Sequence, residues 1–313
     1  MHKPNQYLET IRKRLTIAII LNALVFLIEL IGGVLTNSLA LISDAIHNLS
    51  DFFALTLSYI ATHIFMWESN YQKTYGYVRI EIFVAFINAL TLVIIGGYII
   101  YESIYRLSNP REVQGLWMIF IALLGLIANS ISAILLHKDA QDNLNAKSAY
   151  LHLLTDALES FAVVITGALI YFKQWNLLDP IVSVFIGIFV IRSAWNVLTE
   201  TINILTEGTP KGIDPEEVAK FICSFPEVKN VHHLHIWSLS SQFRALSAHI
   251  VVHDQLISQG CKITKQIEKA LHERFSISHP TLQLETETCP NQDTIVHHQT
   301  ILGNELDQMS IKR

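Results

Sequence analysis

Charge and cysteine are both scarce in this chain. Only 16% of its 313 residues are Asp, Glu, Lys or Arg, against 51% hydrophobic and a mean hydropathy of +0.37. So little charge argues against an ordinary soluble protein, yet leaves enough for one polar portion beside a membrane portion. The three cysteines, Cys223, Cys261 and Cys289, all follow the last long apolar run, in what should be a reducing compartment, which argues against a disulfide framework. No Gly-x-x-x-x-Gly-Lys-(Ser/Thr) phosphate loop occurs, which argues against ATP-driven chemistry. His-Glu-x-x-His, the common setting for a zinc-activated water, is absent too. Nothing in the pattern points to nucleic acid as a partner.

What is present is a series of six apolar runs, each long enough to cross a hydrocarbon core of roughly 30 Å. They are Leu15–Thr36, Leu39–Met66, Ile80–Tyr101, Gly115–Leu136, Ala146–Tyr171 and Pro180–Thr199. The first is too long, and too poorly followed by a small-residue cleavage site, for a signal peptide, so it should remain as a helix. Basic residues set the orientation. With the N-terminus inside, Lys3, Arg12, Lys13, Arg14, Lys73, Arg79, Lys138 and Lys147 fall on the cytoplasmic side, against Arg106, Arg111 and Lys173 outside. Both termini are then cytoplasmic, and the bilayer is the partner of residues 1–207.

Two of these runs carry the same five-residue pattern, His47-Asn48-Leu49-Ser50-Asp51 and His152-Leu153-Leu154-Thr155-Asp156. On a helix the i,i+4 spacing stacks imidazole and carboxylate on one face, about 6 Å apart. Runs two and five cross in opposite directions, so His47 can lie level with Asp156 and Asp51 with His152. Two nitrogens and two oxygens would then converge, a set suited to a tetrahedral divalent cation such as zinc. The bland alternative is a private His–Asp hydrogen bond within each helix, but ionisable groups in a bilayer are expensive and usually mark an ion pathway. Asp44, one turn before His47, and Glu159, in line with His152 and Asp156, are expected to support or line the path rather than bind metal directly. Asn22 and Glu29 in the first run read as inward-facing polar packing.

After Glu207-Gly208-Thr209-Pro210 the pattern changes. Asp214-Pro215-Glu216-Glu217 is a helix start, with a capping Asp, Pro at the first position and Glu at the third. Val228–Ser238 and Arg244–Val252 alternate as a strand pair, Ser258–Phe275 as an amphipathic helix and Thr281–Thr286 as a last strand. An αββαβ order over residues 208–290 fits a small open sheet with helices on one face. Seven of the 14 histidines fall here: His232, His233, His235, His249, His253, His272 and His279. Glu285, Cys261 and Cys289 could join them as metal ligands, and spacing alone does not say which histidines share a site. Residues 291–313 read as a polar, disordered tail that includes His297 and His298.

Taken together, Ser38–Asp51, Thr74–Glu81, Tyr150–Ser160, Glu207–Pro210 and Val231–Ser238 resemble the cation diffusion facilitator family, in particular its bacterial zinc/cobalt/cadmium-resistance branch. The resemblance implies a six-helix transmembrane protein with a C-terminal cytoplasmic α+β ferredoxin-like domain. It further implies a homodimer in the bacterial inner membrane that exchanges zinc, cadmium or cobalt for protons. By motif it assigns the transport site to His47, Asp51, His152 and Asp156, and a cytoplasmic metal site to His232, His249 and Glu285, with Cys289 as a further candidate. The polar loop after the second run holds Asn70, Lys73 and Tyr77, so no metal site is expected there. Histidine, with a pKa near 6.5, would couple metal release to proton uptake. Two other classes were weighed: an intramembrane zinc-dependent metalloenzyme, and a membrane-anchored metal sensor.

Overall fold

The computed structural model describes residues 20, 22–64, 69–137 and 144–286, with 51, 54–64, 135, 136 and 144–149 placed by backbone alone. The side chain of Asp51, together with Cys289, His297 and His298, therefore lies outside the described residues. Two compact units form, one within Met1–Met66 and Val84–Leu198, the other within Trp67–Phe83 and Thr199–Arg313.

The helices are α1 (Asn22–Thr36), α2 (Leu39–Ile64), α3 (Arg79–Ser108), α4 (Gly115–Leu136), α5 (Leu144–Lys173) and α6 (Leu178–Leu205). Among the described residues, α3, α4, α5 and α6 are long and apolar enough to cross a membrane, and α1 is a shorter apolar helix. The first unit is polar within and apolar without. Ile94, Phe120, Leu158 and Phe185 stand on its outside, each more than half exposed, whereas Glu29, Asp44, His47, Asn48, Asp156 and Ser160 are buried. That inversion is what a hydrocarbon solvent selects, because only side chains with no polar group to satisfy can face it.

Local chemistry fixes the helix that carries His47. The chain leaves α1 through Asn37 in the left-handed region (φ 58°), and Ser38 N donates back to Gly33 O at 2.9 Å. Asp179, at the start of α6, then caps α2 from outside: its carboxylate accepts from Ser38 Oγ (2.5 Å), Leu39 N (2.9 Å) and Ala40 N (3.2 Å). Three of the donors at the head of α2 are thereby satisfied by a negative charge at the positive end of the helix. Arg106 of α3 donates to Asn37 O at 2.7 Å while pairing with Glu102. The α4–α5 contact is equally local. A Cβ on Gly115 would stand 2.8 Å from both Gly167 O and Tyr171 N, so only glycine lets the two backbones meet.

In the second unit, Asp214 caps α7 (Pro215–Cys223) by accepting from Glu216 N at 2.9 Å. Strands β1 (Val228–Ser238), β2 (Arg244–Val252) and β3 (His279–Glu285) lie in that order, β1 antiparallel and β3 parallel to β2, with α8 (Ile257–Phe275) as the crossover. The last strand begins two residues earlier than its alternation suggests, because His279 and Pro280 pair with Ala245 and Leu246. Val218, Ile222, Leu246, Ile250, Ile267 and Leu271 are fully buried between sheet and helices. Each contributes about 1.5–3 kcal/mol of apolar burial.

Candidate metal sites

In the helical unit, α2 and α5 bring His47, His152 and Asp156 to one point, their ligand atoms all within 4.8 Å of one another. Asp156 Oδ1 lies 3.2 Å from His47 Nε2 and 3.8 Å from His152 Nδ1, so a single oxygen faces both rings. The imidazoles meet edge to face at 5.9 Å, and Phe189 of α6 closes on His47 at 6.1 Å. Asp156 and His47 are buried, whereas the His152 side chain is 42% exposed, leaving the cluster reachable from that side. Asp156 Oδ2 has no hydrogen-bond partner among the described residues, a buried acceptor left for a cation or a proton. Asp51 follows His47 by one turn on the backbone of α2.

Asp44 and Glu159 do not belong to that group among the described residues. Asp44 Oδ2 accepts from Ser160 Oγ at 3.2 Å, one turn beyond Asp156 on α5. The pairing of Asp44 with Ser160 and of His47 with Asp156 runs in opposite senses along the two helices, so α2 and α5 are antiparallel. Asn22 and Glu29 pack inward as expected: both are buried, and Glu29 accepts from Asn48 Nδ2 at 2.7 Å.

The second cluster lies on the sheet. His232 pairs with His249 across β1 and β2, and Glu285 comes from β3 beside them. Glu285 Oε2 is 3.0 Å from His232 Nε2, and Oε1 is 2.8 Å from His249 Nδ1, the latter too far off-line for a hydrogen bond. These two contacts place the Glu285 carboxylate beside both rings. His232 Nδ1 is buried and has no hydrogen-bond partner among the described residues.

His233, one of seven histidines that spacing could not sort, completes this group with His232 and His249. In a regular strand adjacent residues face opposite sides. Here β1 bulges between His232 and His235, and His233 takes a left-handed backbone (φ 54°). The bulge turns its ring to 4.8 Å from that of His249 and 6.2 Å from that of His232. A non-glycine residue there costs about 1–3 kcal/mol, strain of the kind that collects at functional sites. A His-His pair inside a strand was the only hint in the sequence.

Burial lowers the pKa of His233, and the neighbouring His249, His235 and His232 push it the same way. For Glu285 burial alone would raise the pKa, but the charge of His249 and hydrogen bonds from His232 and Gln283 outweigh it and hold the carboxyl low. Both shifts favour the deprotonated forms that bind metal. A cleft of about 250 Å³ lined by His233, His235, His249, Thr281 and Gln283 opens beside them. Cys261 is exposed and Cys223 is free, and neither belongs to a metal-ligating group among the described residues.

Comparison with known proteins gives two family matches, the cation efflux transmembrane domain over residues 15–206 and the cytoplasmic domain of cation efflux proteins over residues 210–287. The chain is 42% identical over 288 residues to the cadmium, cobalt and zinc/H(+)-K(+) antiporter of Bacillus subtilis, covering 91% of this chain and 92% of that protein. It is 38% identical over 285 residues to the metal cation efflux system protein CzcD of Cupriavidus metallidurans, covering 91% and 90%. The zinc transporter ZitB of Pectobacterium atrosepticum is 36% identical over 293 residues, covering 92% and 89%.

Proposed function

Since this chain belongs to the cation efflux family, we propose that it moves divalent cations, zinc foremost and also cadmium and cobalt, out of the cytoplasm in exchange for protons. It is a transporter and not an enzyme. The observation that carries the substrate reading is the convergence of His47, His152 and Asp156 inside an apolar bundle. Two imidazoles and a carboxylate, with Asp51 as the fourth donor, suit zinc over manganese, which favours all-oxygen sets.

Export of a divalent cation against the membrane potential costs about 4–5 kcal/mol per 100 mV, so a counter-ion must drive it. The same donors supply the coupling: zinc requires them deprotonated, and protons from a more acidic exterior displace it. The architecture we propose has six spans in residues 1–207 in a bacterial inner membrane, with both termini cytoplasmic. Residues 208–290 form a ferredoxin-like domain through which two copies dimerise, and 291–313 a polar tail.

In that domain His232, His233, His249 and Glu285 would hold zinc. The fit rests on the buried, unpartnered His232 Nδ1 and the off-line approach of His249 to Glu285. Bound zinc would tie the strands together and regulate transport rather than take part in it. Uptake of zinc into inverted vesicles under an imposed pH gradient tests the function. Zinc uptake that ignores the gradient, with the parent protein present and folded, would end the antiport reading.

A further inference from the structure

We infer that Glu29 is a proton-binding site separate from the metal ligands, and that it carries one of the protons exchanged for each cation. The inference rests on the antiport reading above. Glu29 is fully buried on α1, with Oε2 held by Asn48 Nδ2 at 2.7 Å and Oε1 without a hydrogen-bond partner among the described residues. Oε1 points at α4 beside Gly125, where any Cβ would overlap it, so the missing side chain makes the room the carboxyl occupies. Asp44 repeats the pattern, one oxygen taken by Ser160 and the other without a partner among the described residues, as is Asn48 Oδ1.

Donor count distinguishes these acids from Asp179, whose carboxylate receives three donors and suits a charged group. Glu29 receives one, too few to replace the hydration of a buried anion. The ionisable groups facing Glu29 are Asp44 and His47 on α2 and Asp156 on α5. Those facing Asp44 are Glu159 and Asp156 on α5 and His47 on its own helix. The remaining neighbour, α4, carries no charged residue, and among the described residues no Lys or Arg is found facing these acids. Neutrality must come from a cation at the metal site or from protons.

Position supports the second role. Asp44 lies one turn from His47 toward the head of α2, and Ser160 one turn from Asp156 toward the end of α5, the same side of the metal cluster. In the proposed orientation that side is extracytoplasmic. Glu29 borders this Asp44 and Ser160 layer, since a Cβ at Gly125 would meet both its Oε1 and Ser160 Oγ, and protons arriving from outside would meet Asp44 before they reach His47 and Asp156.

The test uses the full-length protein in liposomes, with zinc as the probe and calorimetry in buffers of different protonation enthalpy. Glu29→Gln, which keeps volume and the bond from Asn48, should bind zinc within about threefold of the parent but release about one proton fewer per zinc. Zinc flux should become less steep in pH, and Glu29→Asp, still an acid, should restore it. Gly125→Ala, whose Cβ would collide with Oε1 from another helix while leaving residue 29 an acid, provides a second variant should Glu29→Gln fold poorly; it too should lower proton release while sparing zinc affinity. Unchanged proton release in either variant overturns the inference. So does a fall in zinc affinity of more than about tenfold in Glu29→Gln, since Glu29 would then belong to the metal's own shell. A parent protein that releases no protons on binding zinc would instead defeat the antiport reading, leaving the two failures distinguishable.

Discussion

Replacing Asp156 by Asn removes the charge at the centre of the intramembrane cluster while keeping its volume and one acceptor oxygen. That oxygen faces both rings, His47 at 3.2 Å and His152 at 3.8 Å, from a side chain 1% exposed. At an effective dielectric of about 20, a divalent ion and a carboxylate with centres ~3 Å apart attract by about 11 kcal/mol before desolvation. Desolvation offsets most of this, and removing one partner from a buried charged pair leaves a measured loss of about 3–5 kcal/mol. Zinc affinity should therefore fall roughly 10²–10⁴-fold. The fold should survive, because the variant removes a buried charge rather than an apolar contact. Calorimetric zinc titration of full-length Asp156→Asn, with His232 and His249 already replaced, measures the change, and thermal unfolding checks integrity. A well-folded variant with wild-type affinity would remove Asp156 from the site and with it the proposed pathway.

Three further expectations concern other parts of the molecule. His233→Gly relieves a left-handed backbone but deletes a ligand, so the metal-free protein should be unchanged to about 1 kcal/mol more stable while zinc protects it less; hydrogen exchange of β1 amides with and without zinc reads both. His233 and Glu285 both have pKa values below their ordinary ranges, so each contributes stability that is complete above about pH 6.5 and 4.3 respectively and is lost as pH falls through the lowered folded values. Acid titration of the second unit, followed by Trp237 fluorescence, should therefore show loss only on the acidic side, and a loss confined to alkaline pH would contradict the assignment. Asp179→Ala leaves three donors at the head of α2 without their acceptor and should lower stability by about 3 kcal/mol or more, with Asp179→Asn intermediate, in detergent unfolding; equal stability of all three proteins would show that the cap does not hold α2.

The encounter of His47 with Asp156 could be read from sequence because it needs only two regularities, the i,i+4 repeat and the antiparallel crossing of alternate spans. The cap on α7 was legible for the same reason, since Asp214 and Pro215 act within one turn. What escaped were features created by packing between distant segments. Asp179 is a lone acid just before the last apolar run, and its partners lie about 140 positions away. His233 looked like any strand histidine, because the bulge that turns it depends on pairing with β2. Glu29 was visible as a lone carboxyl, but its partner Asn48 and the space above Gly125 belong to two other helices.

The two acidic layers of the helical unit also bear on why exchange should be obligatory. With zinc among the proposed ligands His47, His152, Asp51 and Asp156, two neutral rings and two carboxylates would leave the loaded site with no net charge. Emptied of metal and unprotonated, the same site would hold two carboxylates in an apolar bundle, with Glu29 and Asp44 close behind. Such a state is the most expensive in the cycle, because uncompensated charge in a bilayer interior costs several kcal/mol. Protonation lowers it, so the empty carrier can return readily only after taking up protons. An unloaded, unprotonated return would let metal leave without drawing on the proton gradient, and the few hydrogen-bond donors around Glu29 and Asp44 among the described residues make that state the least accessible. On the proposed antiport reading, the same scarcity that makes these carboxyls look poorly satisfied in the folded protein would tie the outward passage of one ion to the inward passage of the other.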